Sequence, residues 1–191
     1  MEHEDPALVE NHKGGEADPA ARARQVCLRL LTLAPRTRAQ LAEALRKRGI
    51  PDETADEVLS RFEDVGLIDD AAFARAWVES RHYSRGLAGR ALSAELKRRG
   101  VAVDEIRAAI DEQLGPDAEV SAARRLVDRK LASTRGLPSE QRTRRLAGML
   151  ARKGYPAGLA FRVIREALET EGESAFAEDE PPFEESESDT E

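Results

Sequence analysis

Residues 92–101 read LSAELKRRGV, and two related segments occur at 41–50 (LAEALRKRGI) and at 146–155 (LAGMLARKGY). Each copy has two leucines four residues apart, then two or three basic residues, a glycine and one large apolar residue. Leucines at this spacing share one helix face, and a glycine in the left-handed conformation often ends a helix. The pattern therefore predicts three helices that end alike, with the second leucine against the residue that follows the glycine.

The spacing of the three copies predicts a repeated three-helix unit. The glycines of the motif, Gly49, Gly100 and Gly154, lie 51 and 54 residues apart, which accommodates a long helix, the motif helix and a closing helix. We expect an all-α fold, an elongated curved array, because helical repeats bury their apolar faces against their neighbours. The predicted units are residues 20–66, 67–115 and 116–170.

Two helix starts carry recognisable caps. Thr37 is the predicted N-cap of the first motif helix, and Gln40 follows three residues later as its capping-box partner. Asp69 or Asp70 is expected to cap the long helix of the second unit, because a carboxylate at this position accepts hydrogen bonds from the free backbone N–H groups.

Four residues that could carry chemistry are interpreted as structural. Phe73 and Trp77 lie four residues apart on an apolar helix side, so we expect them in the core rather than stacked on bases. Cys27 lies in an apolar stripe and should be buried, whereas His82 has no partner at metal-ligand spacing and should lie on the surface. No HExxH, phosphate-binding glycine loop or nucleophile elbow occurs. The sequence therefore predicts no active site, no metal and no cofactor.

The charges fall into three blocks. Residues 1–19 carry six acids and one base, and residues 171–191 carry ten acids and no base. Residues 20–170 carry 29 bases and 21 acids, a net charge of +8 in a chain whose total is −7. We expect both acidic ends to be disordered and the basic body to attract phosphate or carboxylate groups. The C-terminal block either folds back over this body and competes with nonspecific DNA, or serves solubility alone.

The chain offers no candidate for a membrane span. Its longest apolar run, at 26–34, is interrupted by Arg29 and Thr32 and is too short to cross a bilayer. No signal peptide precedes it. We therefore expect a cytoplasmic protein that acts as a monomer.

The basic residues at and near the three motif helices are the predicted binding residues. Their recurrence favours one continuous basic strip, although each alone could serve only to stabilise a helix end by about 0.3–1 kcal/mol. The predicted set is Arg46, Lys47, Arg48, Arg81, Arg85, Arg90, Lys97, Arg98, Arg99, Arg124, Arg125, Arg144, Arg145, Arg152 and Lys153.

A more specific pattern lies in the middle of the chain. It comprises GLIDD at 66–70, Phe73-Ala74, Trp77, Arg81, Leu92, Glu95-Leu96 and Arg99-Gly100-Val101. This pattern resembles the signature of the RecX family, the bacterial regulators of the RecA recombinase. The resemblance covers about residues 22–168 and is weakest in the third unit, where Gly148 replaces an expected glutamate and Tyr155 an aliphatic residue.

The resemblance implies a non-enzymatic modulator of recombination and DNA repair. Proteins of this family lie in the groove of the RecA filament on single-stranded DNA, bridge protomers, and reduce ATP hydrolysis, strand exchange and co-protease activity. It also implies weak, direct binding to single-stranded DNA. Filament capping and groove binding both remain open, as do two alternatives from the residues alone. These are a stand-alone DNA-binding protein with helix-turn-helix-like pairs and a helical adaptor without a nucleic-acid role.

Overall fold

The computed structural model describes residues 18–178, and all regular structure within them is helical. The long, motif and closing helices follow one another three times, so the prediction of an all-α fold of three-helix repeats is confirmed for these residues. The α-helices are α1 (Pro19–Leu33), α2 (Arg38–Arg46), α3 (Asp52–Asp64), α4 (Asp70–Arg85), α5 (Gly89–Lys97), α6 (Val103–Gln113), α7 (Pro116–Leu131), α8 (Ser139–Arg152) and α9 (Ala157–Glu178), with a short 3-10 turn at Ala132–Thr134.

The motif glycines end their helices as predicted. Their φ angles are positive in all three copies, between 71° and 88°, a region that side chains with a Cβ disfavour. In the first copy the N–H of Ile50 donates to the carbonyl of Leu45 at 3.2 Å. In the third copy the N–H of Tyr155 donates to the carbonyl of Leu150 at 3.1 Å. These are the six-to-one bonds of a Schellman cap, which bring the leucine and the residue after the glycine together.

The described residues form two compact units, and the first consists of 18–73 with Arg99–Ala102. Its core holds Cys27, whose burial is confirmed and raises the pKa of its thiol. The capping box at Thr37 is also confirmed: its hydroxyl accepts from the N–H of Gln40, and the Gln40 side chain accepts from the N–H of Thr37, both at 3.2 Å. The buried hydroxyl of Thr37 also donates to the carbonyl of Arg99 at 2.6 Å.

The two aspartates before α4 have different roles. Asp69 caps α4, since its carboxylate accepts from the N–H of Ala72 at 2.7 Å. Asp70 accepts instead from the N–H of Arg38 at 2.9 Å, in the first turn of α2. Burial raises the pKa of Asp70, and the bond from the Arg38 backbone opposes that shift. The tandem aspartates therefore serve two helix starts.

The second unit consists of Ala74–Arg98 and 103–178, and its core lies between α7, α8 and α9. Helix α9 runs to Glu178, which corrects the boundary predicted at residue 171. The physical reason is that Glu171, counted as tail by its charge, is ion-paired with Arg135 and Arg142 of the packed helices. At the other end Asp18 caps α1 through the N–H of Ala20, at 3.0 Å. The rest of both predicted acidic tails, 1–17 and 179–191, lies outside the described residues.

Candidate nucleic-acid and protein-binding surface

The basic end of α2 interacts mainly with its own helix. The ammonium group of Lys47 lies 2.6 Å from the carboxylate of Glu43 and, by hydrogen bond and charge, lowers the pKa of that group. Arg48 donates to the carbonyl of Ala44 at 2.8 Å. Arg46 is exposed to solvent. In the first unit two of the three predicted residues thus stabilise a helix end.

The loop that follows α4 is bonded to the residues that follow α8. The ammonium group of Lys153 donates to the carbonyl of Arg85 at 2.5 Å, and the N–H of Ala88 donates to the carbonyl of Lys153 at 2.9 Å. The hydroxyl of Tyr155 donates to the carbonyl of Gly86 at 3.1 Å. Two predicted basic residues, Arg85 and Lys153, are therefore joined by a bond from the side chain of one to the backbone carbonyl of the other.

Tight packing fixes this loop. Gly86 has a φ of 60°, and a Cβ there would lie 3.0 Å from a methyl group of Leu126. Tyr155 is only 3 % exposed, and its burial, reinforced by the charge of Glu119, raises its pKa to about 12. The charge of Arg125 opposes that shift, so this predicted residue acts electrostatically on Tyr155. The departure from an aliphatic residue at position 155 thus supplies the hydroxyl that binds the loop.

A groove of about 1220 Å³ runs between α5 and α8 and reaches the start of α9. We call it the α5–α8 groove. Small residues form its floor, among them Ala91, Ala94, Ala147, Gly148 and Ala151. Four of the predicted arginines line it, namely Arg90 and Arg98 from the α5 side and Arg144 and Arg152 from α8.

The arginines of the groove differ in their partners. Arg144 lies 3.5 Å from Glu140, one turn earlier on α8, and both side chains are exposed. Within residues 18–178, no carboxylate comes within 4.0 Å of the guanidinium groups of Arg90, Arg98 or Arg152. Four arginines and two glutamates, Glu95 and Glu140, thus line the groove. Its balance is positive, and three of its guanidinium groups have no carboxylate within 4.0 Å among the described residues.

Two residues of the groove, Phe161 and Gly148, have roles that the sequence does not predict. Phe161 is 54 % exposed and lines the groove, although its place on an apolar helix gave no signal of exposure. Gly148 leaves the floor open, because a Cβ there would meet only the tip of Arg152, at 3.5 Å.

The prediction that Phe73 and Trp77 lie in the core is correct only in part, since both side chains are half-buried. The indole N–H of Trp77 donates to the carboxylate of Glu95 at 2.8 Å, and Glu95 lines the groove. The guanidinium group of Arg81 lies 4.2 Å from the centre of the Trp77 ring. Trp77 is therefore held by polar contacts on both its edge and its face.

The prediction that His82 lies on the surface is likewise correct only in part. The side chain of His82 is half-buried, and its Nδ1 lies 2.9 Å from the carbonyl of Leu87, to which it donates. Among the remaining predicted residues, Arg124 is ion-paired with Glu166 of α9. Lys97 and Arg145 are exposed, and Arg99 is half-buried in the first unit.

Neither a metal site nor a membrane span is found in the part of the chain that the structure describes. No cluster of three histidine, cysteine or acidic side chains there could hold a metal ion. No helix between residues 18 and 178 combines the length and the apolar character needed to cross a bilayer.

Three family models match the chain in tandem. They are described as the first, second and third three-helix domains of RecX, and they match residues 23–62, 69–110 and 117–164. Each matched range corresponds to one set of three helices: α1 to α3, α4 to α6, and α7 to α9.

Similar proteins and structures carry the same description. The Regulatory protein RecX of Thermobifida fusca is 63 % identical over 162 residues, which cover 83 % of this chain and 87 % of that protein. The Regulatory protein RecX of Streptomyces coelicolor is 64 % identical over 156 residues, 82 % of each chain. The crystal structure of RecX from Lactobacillus salivarius shares the fold with a TM-score of 0.72 at 17 % identity, over 78 % of this chain and 96 % of that one. The chain belongs to the RecX family of regulatory proteins.

Proposed function

We propose that this RecX-family regulator binds the filament that RecA forms on single-stranded DNA and inhibits its ATP hydrolysis, strand exchange and co-protease activity. It acts as a monomer in the cytoplasm, without catalysis of its own, and modulates recombination and DNA repair. The observation that carries the proposal is the α5–α8 groove, where four predicted arginines line one surface.

Arginine suits this role for a geometric reason. Its planar guanidinium group donates parallel hydrogen bonds to two oxygens of one phosphate or carboxylate. Arg98 and Arg152 occupy equivalent positions in two copies of the motif, and both line the groove. Contacts of this kind to DNA release counterions, so binding should weaken steeply as salt rises. The same arginines account for both affinities that we propose. Single-stranded DNA alone is bound weakly, whereas a filament is bound more tightly because it adds a protein surface to the contact.

The test is RecA ATPase on single-stranded DNA, with this protein added well below the RecA concentration. Strong inhibition at that dose supports filament binding, because one bound molecule affects many protomers. Inhibition only when the protein saturates the DNA would favour a stand-alone DNA-binding protein. Absence of inhibition together with absence of a DNA mobility shift would refute both and leave a helical adaptor.

A matched pair of variants locates the surface. Arg144→Glu combined with Arg152→Glu reverses two charges of the groove, and both positions are exposed on α8. Arg107→Glu combined with Arg129→Glu is the control, because both arginines are exposed and neither lines the groove. We expect the double variant to lose inhibition and to reduce the salt dependence of DNA binding by about two counterions. Equal loss in the control would show that total charge, not the groove, matters.

A further inference from the structure

We propose that the α5–α8 groove is a docking surface for an acidic peptide, and that in the free protein its occupant is the chain's own segment 179–191. The docked segment covers the arginines of the groove, so that a nucleic acid or filament must displace it. The competition rests on the function proposed above, whereas the docking itself does not.

The first support is that acidic side chains of α9 already bind arginines of the same unit. Glu166 is ion-paired with Arg124 of α7. Glu171 is ion-paired with Arg142 of α8 and, at 2.6 Å, with Arg135, and these bonds lower its pKa. Carboxylates of α9 therefore already pair with arginines of the same unit.

The second support is charge complementarity. Residues 179–191 read DEPPFEESESDTE, with seven acids and no base. Arg90, Arg98 and Arg152 have no carboxylate within 4.0 Å among the residues that the structure describes. An acidic segment that lies along the groove would supply a carboxylate for each of these three arginines.

The third support is an apolar hollow beside the groove. It has a volume of about 650 Å³, is lined by Phe161, Ile164 and Leu168, and carries Arg162 and Arg165 at its edge. Phe161 lines both the hollow and the groove, so the two are continuous. A peptide that fits this surface needs one large apolar side chain followed by acids.

The segment has that pattern in the required order. Phe183 comes first and is followed by five acids, from Glu184 to Glu191. Leu168 lies ten residues before the end of α9, about 15 Å along the helix, and the five residues from Glu178 to Phe183 span up to about 17 Å. The eight residues that follow span up to about 27 Å, whereas Phe161, where the hollow meets the groove, lies seven residues from Leu168, about 10 Å along α9. The consecutive prolines Pro181 and Pro182 lack the backbone N–H that an α-helix needs, so the sequence does not favour continuation of α9 through them.

Trp77 provides a local reporter. It is the only tryptophan of the chain, so its indole N–H gives one signal in a ¹H–¹⁵N spectrum. Its N–H donates to Glu95, which lines the groove, so an acidic strand seated there alters the field at the indole. We expect the signals of the full chain and of the chain shortened to residues 1–178 to differ, and a synthetic peptide of residues 179–191 to restore the original position.

The decisive measurement is the affinity of that peptide for the shortened chain, by calorimetry at low salt. We expect Arg144→Glu with Arg152→Glu to weaken binding at least about tenfold, and the control Arg107→Glu with Arg129→Glu, which changes the net charge equally, to weaken it much less. A peptide of identical composition with the phenylalanine moved to its last position should also bind less tightly. Superimposable Trp77 signals with and without the segment, no measurable binding, equal loss in both arginine variants, or equal affinity of the rearranged peptide would each overturn the proposal.

This titration contains neither RecA nor DNA. Its failure therefore leaves the proposed function untouched, and a failed ATPase assay leaves the docking untouched. If both hold, the shortened chain should bind single-stranded DNA several-fold more tightly than the full chain at low salt, and the difference should shrink at high salt because both contacts are screened.

Discussion

Replacing Gly154 by alanine should destabilise the second unit far more than the equivalent replacement of Gly49 destabilises the first. Both glycines end a motif helix with positive φ, 88° and 71°. A Cβ on Gly49 would meet nothing within 4 Å, whereas a Cβ on Gly154 would lie 2.6 Å from the backbone nitrogen of Ala91 and 2.8 Å from its Cβ. The two substitutions thus share a conformational cost and differ in a steric one.

The magnitudes follow from these distances. The left-handed conformation costs an alanine about 1–2 kcal/mol, and the stiffer unfolded chain offsets about 0.4–1 kcal/mol of that. Gly49→Ala should therefore lower the free energy of unfolding by about 1 kcal/mol. Gly154→Ala adds a clash with backbone, which cannot rotate away as a side chain can, and overpacking of this kind costs about 1–3 kcal/mol more.

Urea unfolding of the two variants tests this account. Trp77 belongs to the second unit and is the only tryptophan, so its fluorescence reports that unit, while far-ultraviolet circular dichroism reports all helices. We expect Gly154→Ala to shift the Trp77 transition to lower urea, and Gly49→Ala to leave that transition almost in place. Equal shifts of the Trp77 transition would refute the argument, because the close approach of Gly154 and Ala91 would then carry no energy.

Three further substitutions test single contacts. Tyr155→Phe removes the bond to the carbonyl of Gly86 and should cost about 1–3 kcal/mol near pH 7. Because the folded pKa of Tyr155 is raised to about 12, the wild type should lose stability as pH rises from about 10 through 12, a step that the variant lacks and that alkaline unfolding would reveal. Glu171→Gln should destabilise the fold above about pH 4, and the difference should vanish in acid, because the ion pairs hold the folded pKa below its usual value. Thr37→Ala removes an N-cap and a buried hydroxyl bond, and should lower the thermal midpoint by an amount that corresponds to about 1–2 kcal/mol.

Local signals account for the part of the fold that the sequence predicted. Leucine spacing, terminal glycines and the Thr37–Gln40 capping box each involve residues no more than five apart, and the structure has all of them. Such patterns can be recognised in the sequence because the geometry of one helix turn determines which groups meet, independently of the tertiary structure.

Long-range contacts account for most of what the sequence did not predict. The bond from Tyr155 to Gly86 joins residues 69 apart, and neither partner has a local pattern that points to the other. The end of α9 was missed for a different reason: charge composition assigned Glu171 to a tail, whereas two arginines from other helices hold it in the packed unit. The sequence shows that Arg135 and Arg142 are available to pair with a carboxylate, but only the tertiary structure identifies Glu171 as that partner.

The basic residues of the motif illustrate why recurrence alone cannot assign a role. Lys47, Arg98 and Arg152 occupy equivalent positions, yet Lys47 is paired with Glu43 one turn earlier, while the other two line the α5–α8 groove. The difference follows from the position four residues before each base, which is glutamate in the first copy but alanine or glycine in the others.

The next base along the motif has another role in two of the copies. Arg48 donates to a carbonyl of its own helix, and Lys153 donates to the carbonyl of Arg85. Reversing every base of one copy would therefore disturb anchoring and binding together, and a loss of inhibition would have two explanations. Substitution at Arg98 and Arg152 alone separates the two effects, because their guanidinium groups line the groove.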